Sequence, residues 1–329
     1  MRPGTRILIT GATGFVGSHL VEALAARGAR IRALVRESSD ASLLRQHDAE
    51  LVRGSLGDRP ALERAVEGVE VVYHLAALTY ARSEAELARV NGAGTRALLE
   101  AALAAGTRPR RVVYLSSLAA AGPALDGRPV RADDPPRPLT AYGRAKLEGE
   151  RACLEVRDAL ETVALRAPAV YGPRDREMLR FFRYAARGIV PLPAGPDRSV
   201  QLVHARDLAA ALVLAADAPA TAGVYHVAEP RVYTWTDVVH HIGRAVGRRV
   251  RPVPVPAPVV HAAAALSEWG AALRGRATMF NRDKVRELLA PGWTCETESL
   301  RRDFGFETRI PLPDGLKETA AWYRAHGWL

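Results

Sequence analysis

The sequence lacks several features that define whole classes of protein. Its 329 residues include only two cysteines, Cys153 and Cys295, which form no CxxC motif or Cys/His cluster, so neither a zinc site nor a disulfide framework is expected. The net charge is +10, yet no block of five or six like charges suggests a nucleic-acid-binding arm. No apolar run approaches the roughly 20 residues that a membrane span needs. The N-terminus runs directly into an apolar strand without a signal peptide, so we expect a cytoplasmic protein.

The sequence does contain a regular alternation of apolar strands and helices. Strands are predicted at 7–10, 29–36, 50–54, 69–77, 111–117 and 162–170, with helical spacing between them. This alternation predicts an α/β fold with a doubly wound parallel sheet, the Rossmann architecture. Residues 1–172 are predicted to form the dinucleotide-binding domain. Residues 173–329, richer in Pro, Gly and Arg, are predicted to form a smaller C-terminal substrate-binding lobe, with segments at about 200–228 returning to the sheet.

A glycine turn follows the first strand, and the chain is organised around it. Gly11, Gly14 and Gly17 are spaced GxxGxxG between a strand and a helix, which is the context that a dinucleotide-binding turn requires. Gly11 permits a backbone conformation that other residues avoid. Gly14 leaves room for a pyrophosphate, and Gly17 lets the helix approach the strand closely. The helix N-terminus offers unpaired N–H groups to an anion.

The end of the second strand predicts which nicotinamide dinucleotide binds. A NAD-specific fold carries Asp or Glu there to accept from the ribose 2′-hydroxyl. Here the strand ends in Arg36, whose guanidinium suits the 2′-phosphate of NADP. The position favours NADP, with NAD as the alternative if Arg36 is simply a solvated residue at the strand end.

A tyrosine and a lysine four residues apart provide the candidate chemistry. Tyr142 and Lys146 lie at a predicted helix start and project from one face. An ammonium beside a phenol lowers the pKa of the tyrosine, so we expect Tyr142 to act as a general acid/base. Ser117 ends the neighbouring strand, where it can hold a substrate oxygen. Lysine occurs only three times in this arginine-rich chain, so a lysine at position 146 favours a specific role for its ammonium group.

Together these motifs resemble the extended short-chain dehydrogenases/reductases, over most of the chain. The matching segments are TGATGFVG from Thr10, HLAA from His74, VN at 90–91, SS at 116–117, the tyrosine–lysine pair and RAPAVYGP from Arg166. The resemblance implies that Tyr142 is the acid/base and that Lys146 binds the nicotinamide ribose and tunes Tyr142. It also implies that Ser117 orients the substrate oxygen and that Asn91 supports Lys146 through water.

The resemblance and the strand-end arginine together give a set of expected cofactor contacts. These are Gly11, Thr13, Gly14, Phe15, Val16, Gly17, Arg36, Ser55, Leu56, Leu75, Ala76, Ala77, Tyr142, Lys146 and Pro168.

Two departures from the family pattern bear on the substrate. Ser55 stands where the family usually has an aspartate that contacts adenine, so this contact is expected to be weaker. Before the segment at 200–204, members that bind nucleotide sugars carry a phosphate-clamping arginine. Here the nearest arginine is Arg198, which argues against a UDP- or dTDP-sugar. The apolar segment 259–273 and the strand ending in Arg36 look more like the flavonoid-reductase and hydroxysteroid-dehydrogenase branch.

The sequence therefore predicts an NADP-preferring oxidoreductase. It would transfer a hydride between nicotinamide and a secondary alcohol or ketone on a fairly apolar small molecule, with the cofactor supplying the redox chemistry. The alternatives are a nucleotide-sugar epimerase or dehydratase with retained NAD, and a non-catalytic dinucleotide sensor. The family resemblance also suggests a homodimer. The sequence does not identify the substrate.

Overall fold

The structure is a computed structural model that describes residues 2–217 and 223–329. In chain order its elements are β1 (Arg6–Thr10), α1 (Phe15–Ala25), β2 (Arg30–Val35), α2 (Ser42–Gln46), β3 (Glu50–Arg53), α3 (Arg59–Val66), β4 (Val71–His74), α4 (Glu84–Leu87), a π-helical turn (Ala88–Ala93), α5 (Gly94–Ala104), β5 (Arg111–Ser117), α6 (Leu118–Ala121), α7 (Ala141–Glu155), β6 (Glu161–Ala167), β7 (Ala169–Tyr171), α8 (Leu179–Ala186), β8 (Ile189–Pro193), β9 (Ser199–Val200), β10 (Leu202–His204), α9 (Ala205–Asp217), β11 (Gly223–His226), β12 (Tyr233–Thr234), α10 (Trp235–Val246), β13 (Arg251–Val255), α11 (Ala257–Ala272), α12 (Arg282–Leu289), β14 (Gly292–Trp293), α13 (Glu298–Phe304) and α14 (Leu312–Ala325).

A seven-stranded sheet forms the centre of the molecule, in the order β3–β2–β1–β4–β5–β6–β11. All of its neighbouring strands pair in parallel. The predicted doubly wound Rossmann sheet is therefore confirmed. The strand order reverses beside β1, and a crevice at such a reversal is the usual ligand site of an open α/β sheet.

The alternating side chains of the strands divide the core between the two faces of the sheet. In β1, Ile7 and Ile9 pack in a cluster with α1 and α9, while Leu8 packs in a second cluster with α3 and α5. All three are fully buried. Burial on both faces explains why the strand is continuously apolar.

The strand predicted at 162–170 is in fact two strands. β6 ends at Ala167, and β7 begins at Ala169 and pairs with β10 rather than with β5. Pro168 separates them because proline has no N–H for the ladder. β11 joins the main sheet beside β6. Residues 218–222, within the segment predicted to return to the sheet, lie outside the described residues.

The C-terminal half adds a second core beside the sheet. Its buried residues come from α8, α10 and α14, including Phe182, Ile242 and Tyr323. The apolar helix predicted at 259–273 is present as α11, but only Val260 and Ala264 in it are buried. Among the described residues, no helix is both long and apolar enough to cross a lipid bilayer.

Candidate active site

A large cleft lies where the glycine turn, the ends of β4, β5 and β6, and the C-terminal lobe meet. It encloses about 2160 Å³ and is lined by Gly11 to Ser18, Leu75, Ser117, Tyr142, Lys146 and Pro168, together with residues of α8, α11 and α12. The sheet contributes residues from the carboxyl ends of its strands, as expected for this architecture. The cleft therefore brings the predicted cofactor turn and the predicted catalytic residues into one cavity.

The glycine turn has little room for side chains at two of its three positions. Gly11 has φ +76°, and a Cβ there would lie 2.7 Å from the Ala76 nitrogen. A Cβ on Gly17 would lie 2.1 Å from the Gly11 carbonyl oxygen. Gly14 has an ordinary φ of −79° and begins α1 without any side chain capping the helix. An uncapped helix N-terminus beside a turn without side chains fits a pyrophosphate, so these residues fit a dinucleotide.

A series of hydrogen bonds connects the residues beside the glycine turn to Asn91. The Ala76 N–H donates to Thr10 Oγ1 at 3.2 Å, and Thr10 Oγ1 lies 2.7 Å from His74 Nδ1. His74 Nε2 lies 2.9 Å from Thr95 Oγ1, which donates to the Asn91 carbonyl. Thr95 therefore accepts from Nε2, and Nδ1 accepts from Thr10. Burial lowers the pKa of His74 to about 3, so the imidazole is uncharged at neutral pH and keeps this pattern of donors and acceptors.

Asn91 itself lies in the π-helical turn and is buried. Its side chain accepts from the Leu78 N–H and donates to the Leu78 carbonyl, both at 2.8 Å. The amide therefore holds the loop after β4, and the water-mediated support of Lys146 by Asn91 stays a prediction.

The two serines at the end of β5 point in opposite directions because side chains alternate along a strand. Ser116 is buried and donates to Glu150, which forms a buried ion pair with Arg166. Ser117 lines the cleft and accepts from the Ala119 N–H at 3.1 Å. The structure thus brings Ser117, and not the Ser116 side chain, to the same side as Tyr142.

Lys146 is buried beneath the cleft. Its ammonium donates to the Leu115 carbonyl at 2.7 Å and lies 4.8 Å from the centre of the Tyr114 ring. Burial lowers the pKa of Lys146 to about 8, and the nearby Glu150 carboxylate opposes this shift. Lys146 is therefore a cation at neutral pH that loses its charge in mildly alkaline solution.

The protein around Tyr142 raises the pKa of its phenol above the ordinary value. Loss of solvation is the largest cause, and the charges of Glu287 and Glu177 act in the same direction. A hydrogen bond with Ser117 opposes the shift. The expectation that Lys146 lowers this pKa is wrong for this structure: desolvation and two carboxylates from the C-terminal half raise the pKa, and the group that opposes them is Ser117.

Helix α12 contributes residues to the site that the sequence did not identify. Asp283 Oδ2 accepts at 2.8 Å from the N–H of Ala141, the first residue of α7, which carries Tyr142 and Lys146. Lys284 donates to Glu287 at 3.0 Å, and both line the cleft. No local motif marks these residues, since 142 positions separate Asp283 from Ala141.

Arg174 is a further cleft residue that was missed. It has φ +75°, a conformation that costs a non-glycine residue roughly 1–2 kcal/mol. Its guanidinium binds both carboxylate oxygens of Glu22 on α1, at 2.7 and 2.6 Å. This ion pair thus links the C-terminal half to α1, the helix that begins at the glycine turn.

Four of the predicted cofactor residues do not line the cleft. Arg36 is exposed at the end of β2, where its carbonyl accepts from Arg53 at 3.2 Å. Ser55 is exposed, and its hydroxyl accepts from the Gly57 N–H at 3.3 Å. Leu56 is buried. Ala76 meets the turn through its main chain.

Comparison with known proteins agrees with this architecture. Residues 7–228 match the model of the NAD dependent epimerase/dehydratase family. The chain is 37% identical to ceramide reductase from Caulobacter vibrioides, over 98% of this chain and 96% of that one. It is 31% identical to sterol demethylase protein B from Methylococcus capsulatus, over 98% and 99%. The solved structure of MoeE5 in complex with UDP-glucose and NAD is 28% identical, with a TM-score of 0.78 over 98% of this chain and 99% of that one.

The family match covers most of the chain, and it includes the glycine turn, Ser117, Tyr142 and Lys146. The chain therefore belongs to the NAD-dependent epimerase/dehydratase family, within the extended short-chain dehydrogenases/reductases.

Proposed function

We propose that this protein is a reductase that uses NADPH to convert a ketone on an apolar, lipid-like substrate into a secondary alcohol. The observation that carries the proposal is the hydrogen-bonded pair of Tyr142 and Ser117 in the cleft, with Lys146 lining the same cavity. A raised pKa keeps Tyr142 in the form that donates a proton, which is the form that reduction needs. A bound nicotinamide cofactor would supply the hydride to the carbonyl carbon.

The chain's own residues supply position and the proton. The hydroxyl of Ser117 holds the ketone oxygen, and Tyr142 donates its proton to that oxygen as the carbon–oxygen double bond becomes single. The Lys146 ammonium limits the build-up of negative charge on the phenol oxygen. Water returns the proton to Tyr142 after the alcohol leaves.

The lining of the C-terminal half supports an apolar substrate. The apolar residues of the walls are Phe181, Leu192, Val200, Val255, Val260, Phe280 and Trp293, and arginines such as Arg180 and Arg282 also line the cleft. Lys284 and Glu287 provide a polar end near Tyr142. This arrangement suits a molecule with a polar head and a long apolar body. Two relatives are named for lipids, a ceramide and a sterol.

A nucleotide-sugar epimerase or dehydratase with retained NAD is the second candidate. MoeE5 in complex with UDP-glucose and NAD favours it. The Arg198 guanidinium bears against it, since it donates to the carbonyls of Pro193 and Ala194 rather than standing free for a phosphate. A non-catalytic sensor is disfavoured by the complete set of Ser117, Tyr142 and Lys146.

The preference for NADPH is proposed from the end of β2. Arg36 is exposed there, and the Arg53 guanidinium lies at the same strand end, where it donates to the Arg36 carbonyl; a guanidinium suits a 2′-phosphate. Arg36→Ser should raise the KM for NADPH roughly tenfold or more, the cost of a lost charged hydrogen bond, and leave the KM for NADH unchanged. Arg45→Ser, at an exposed position on the nearby α2, is the control. Equal effects on both cofactors would remove the basis for the preference.

The reductase proposal is tested by NADPH consumption with a long-chain β-keto amide and by conversion of UDP-glucose. Tyr142→Phe should abolish ketone reduction while NADPH binding persists. Tyr184→Phe, in an exposed part of the same cleft, should leave turnover unchanged. Stoichiometric NAD released on denaturation, together with UDP-glucose turnover, would favour the epimerase or dehydratase. A Tyr142→Phe variant with full ketone turnover would refute the assigned role.

A further inference from the structure

Helix α11 presents an apolar face to solvent. Val259, Leu266, Trp269 and Leu273 in and beside this helix are 54%, 68%, 66% and 69% exposed. At 100° per residue they fall on one side of the helix together with Ala262, Ala263 and Gly270. We call these seven residues the α11 stripe. It extends along about 21 Å of helix and contains no charged residue.

The opposite side of α11 already has its partner. Val260 and Ala264 pack against Val285 of α12, with Phe280 beside them. Glu268, the only carboxylate on the helix, pairs with Arg282 of α12 at 3.1 Å. The stripe is therefore a second apolar face that the described part of the chain leaves in water, and an exposed apolar patch of this kind marks an interaction site.

The stripe adjoins the cleft. Val259 and Ala263 belong to the stripe and also line the cleft, as does the neighbouring Val260. The segment just beyond α11, at Gly275 and Arg276, lies against the loop after β4. Helix α11 thus forms one wall of the candidate active site and carries the stripe along the same edge.

The charges around the stripe indicate what covers it. Arg274 and Arg276 follow its C-terminal end and are exposed. Arg274 donates to the Gly270 carbonyl, and neither arginine pairs with a carboxylate in the described residues. A second copy of the stripe would bring no carboxylate to these arginines. Anionic lipid headgroups supply negative charge beside an apolar phase, and tryptophan is favoured at that boundary.

We propose that the α11 stripe docks on an anionic lipid surface, with Leu266, Trp269 and Leu273 in the acyl boundary and Arg274 and Arg276 among the headgroups. The docked helix places the cleft beside the membrane, so an apolar substrate passes into it without crossing water. The delivery of substrate from the membrane rests on the proposed function, the reduction of an apolar ketone. Binding of the stripe to the lipid surface does not depend on that reaction.

The test is sedimentation of the full chain with two kinds of vesicle: phosphatidylcholine alone, and phosphatidylcholine mixed with phosphatidylglycerol. The wild type should bind the mixed vesicles more tightly, and added salt should weaken the binding. Combining Leu266→Glu with Trp269→Glu should reduce binding at least about tenfold, because binding scales with buried apolar area. Leu125→Glu, at an exposed leucine outside α11, should bind as the wild type does.

Light scattering and a thermal melt accompany each variant. Unchanged melting shows that the α11 variant is folded, and Arg274→Ser with Arg276→Ser should lose the preference for the anionic vesicles. A wild type that stays in the supernatant with both vesicles overturns the proposal, as does an α11 variant that binds like the wild type. If the wild type is a dimer that ignores vesicles and the α11 variant is a monomer, the stripe binds a second copy instead. Vesicle binding without ketone reduction would refute the proposed function and leave the docking intact.

Discussion

Replacing each glycine of the turn with alanine separates three physical roles. Gly17→Ala forces a methyl group to within 2.1 Å of the Gly11 carbonyl oxygen, where only a shift of α1 away from the turn can relieve the overlap. Gly11→Ala places alanine at φ +76° and 2.7 Å from the Ala76 nitrogen. Gly14→Ala keeps an ordinary φ of −79° and meets only the Gly11 carbonyl, at 3.1 Å.

The magnitudes differ accordingly. Overpacking at Gly17 costs about 1–3 kcal/mol, at the upper end here because the contact is with backbone. Alanine regains about 1 kcal/mol as the better helix former, which leaves a net loss of about 2 kcal/mol. Gly11→Ala adds about 1–2 kcal/mol of left-handed backbone strain to its clash. In Gly14→Ala, alanine is a poorer N-cap than glycine, which lowers the free energy of unfolding, and it restricts the unfolded chain, which raises it. These two effects cancel to within about 1 kcal/mol.

Thermal unfolding and titration with NADPH distinguish these outcomes. We expect Gly17→Ala to melt roughly 3 °C below the wild type, and Gly11→Ala lower still. Gly14→Ala should melt within about 1.5 °C of the wild type. It should nevertheless bind NADPH at least about tenfold more weakly, because its methyl group occupies the approach of the pyrophosphate. Wild-type affinity in Gly14→Ala, or wild-type melting in Gly17→Ala, would refute this account of the turn.

Three further predictions concern ionisable groups. The kcat/KM for NADPH in ketone reduction should be flat from pH 6 to about 7 and fall to about half its maximum near pH 8, because Lys146 has a pKa of about 8 and loses its charge there. A profile that stays flat to pH 10 would contradict this. Asp283→Ala should lower kcat more than tenfold at an almost unchanged KM. The change removes a charged hydrogen bond of about 1.5–3 kcal/mol to the Ala141 N–H, and this bond orients the start of α7, the helix that carries Tyr142. Rescue by Asp283→Asn, which keeps an acceptor oxygen, would distinguish orientation from charge. Burial raises the pKa of Asp175 to about 7, so the contribution of this carboxyl to the free energy of unfolding should fall by up to roughly 4 kcal/mol as pH rises from about 4 to about 7. Buried histidines such as His74, whose pKa is lowered, give the opposite slope in the wild type and in Asp175→Asn alike. The difference in free energy of unfolding between the two proteins, measured in urea, should therefore shift by this amount over the range, and a constant difference would contradict the prediction.

The sheet and its cofactor turn could be predicted because their signals are local. Strand β5 is found at the residues predicted for it, and Asp58 caps α3 by accepting from the Ala61 N–H at 3.1 Å, as its position before Pro60 suggests. Each of these features depends on residues within a few positions of one another. The choice of Ser117 over Ser116 came from the family resemblance, and the alternation of side chains along β5 separates the two serines in the structure.

The C-terminal half could not be predicted in the same way, because its contacts join distant segments. Nothing local marks Asp283 as the partner of Ala141, and nothing local shows that Glu177 and Glu287 face Tyr142. The prediction of a lowered Tyr142 pKa considered only the neighbouring lysine and was therefore wrong. The composition of α11 predicted an apolar helix correctly, yet the same composition fits a buried core and an exposed docking face.

The central claim is that a hydride passes from nicotinamide to a ketone in this cleft while Tyr142 supplies the proton. The most direct measurement follows deuterium from NADPH labelled at both C4 positions into a long-chain ketone by mass spectrometry, with the wild type and with Tyr142→Phe. The account predicts one deuterium on the carbinol carbon of each alcohol formed by the wild type, and no alcohol from the variant, which still binds NADPH. Unlabelled ketone alongside epimerised UDP-glucose and retained NAD would contradict it.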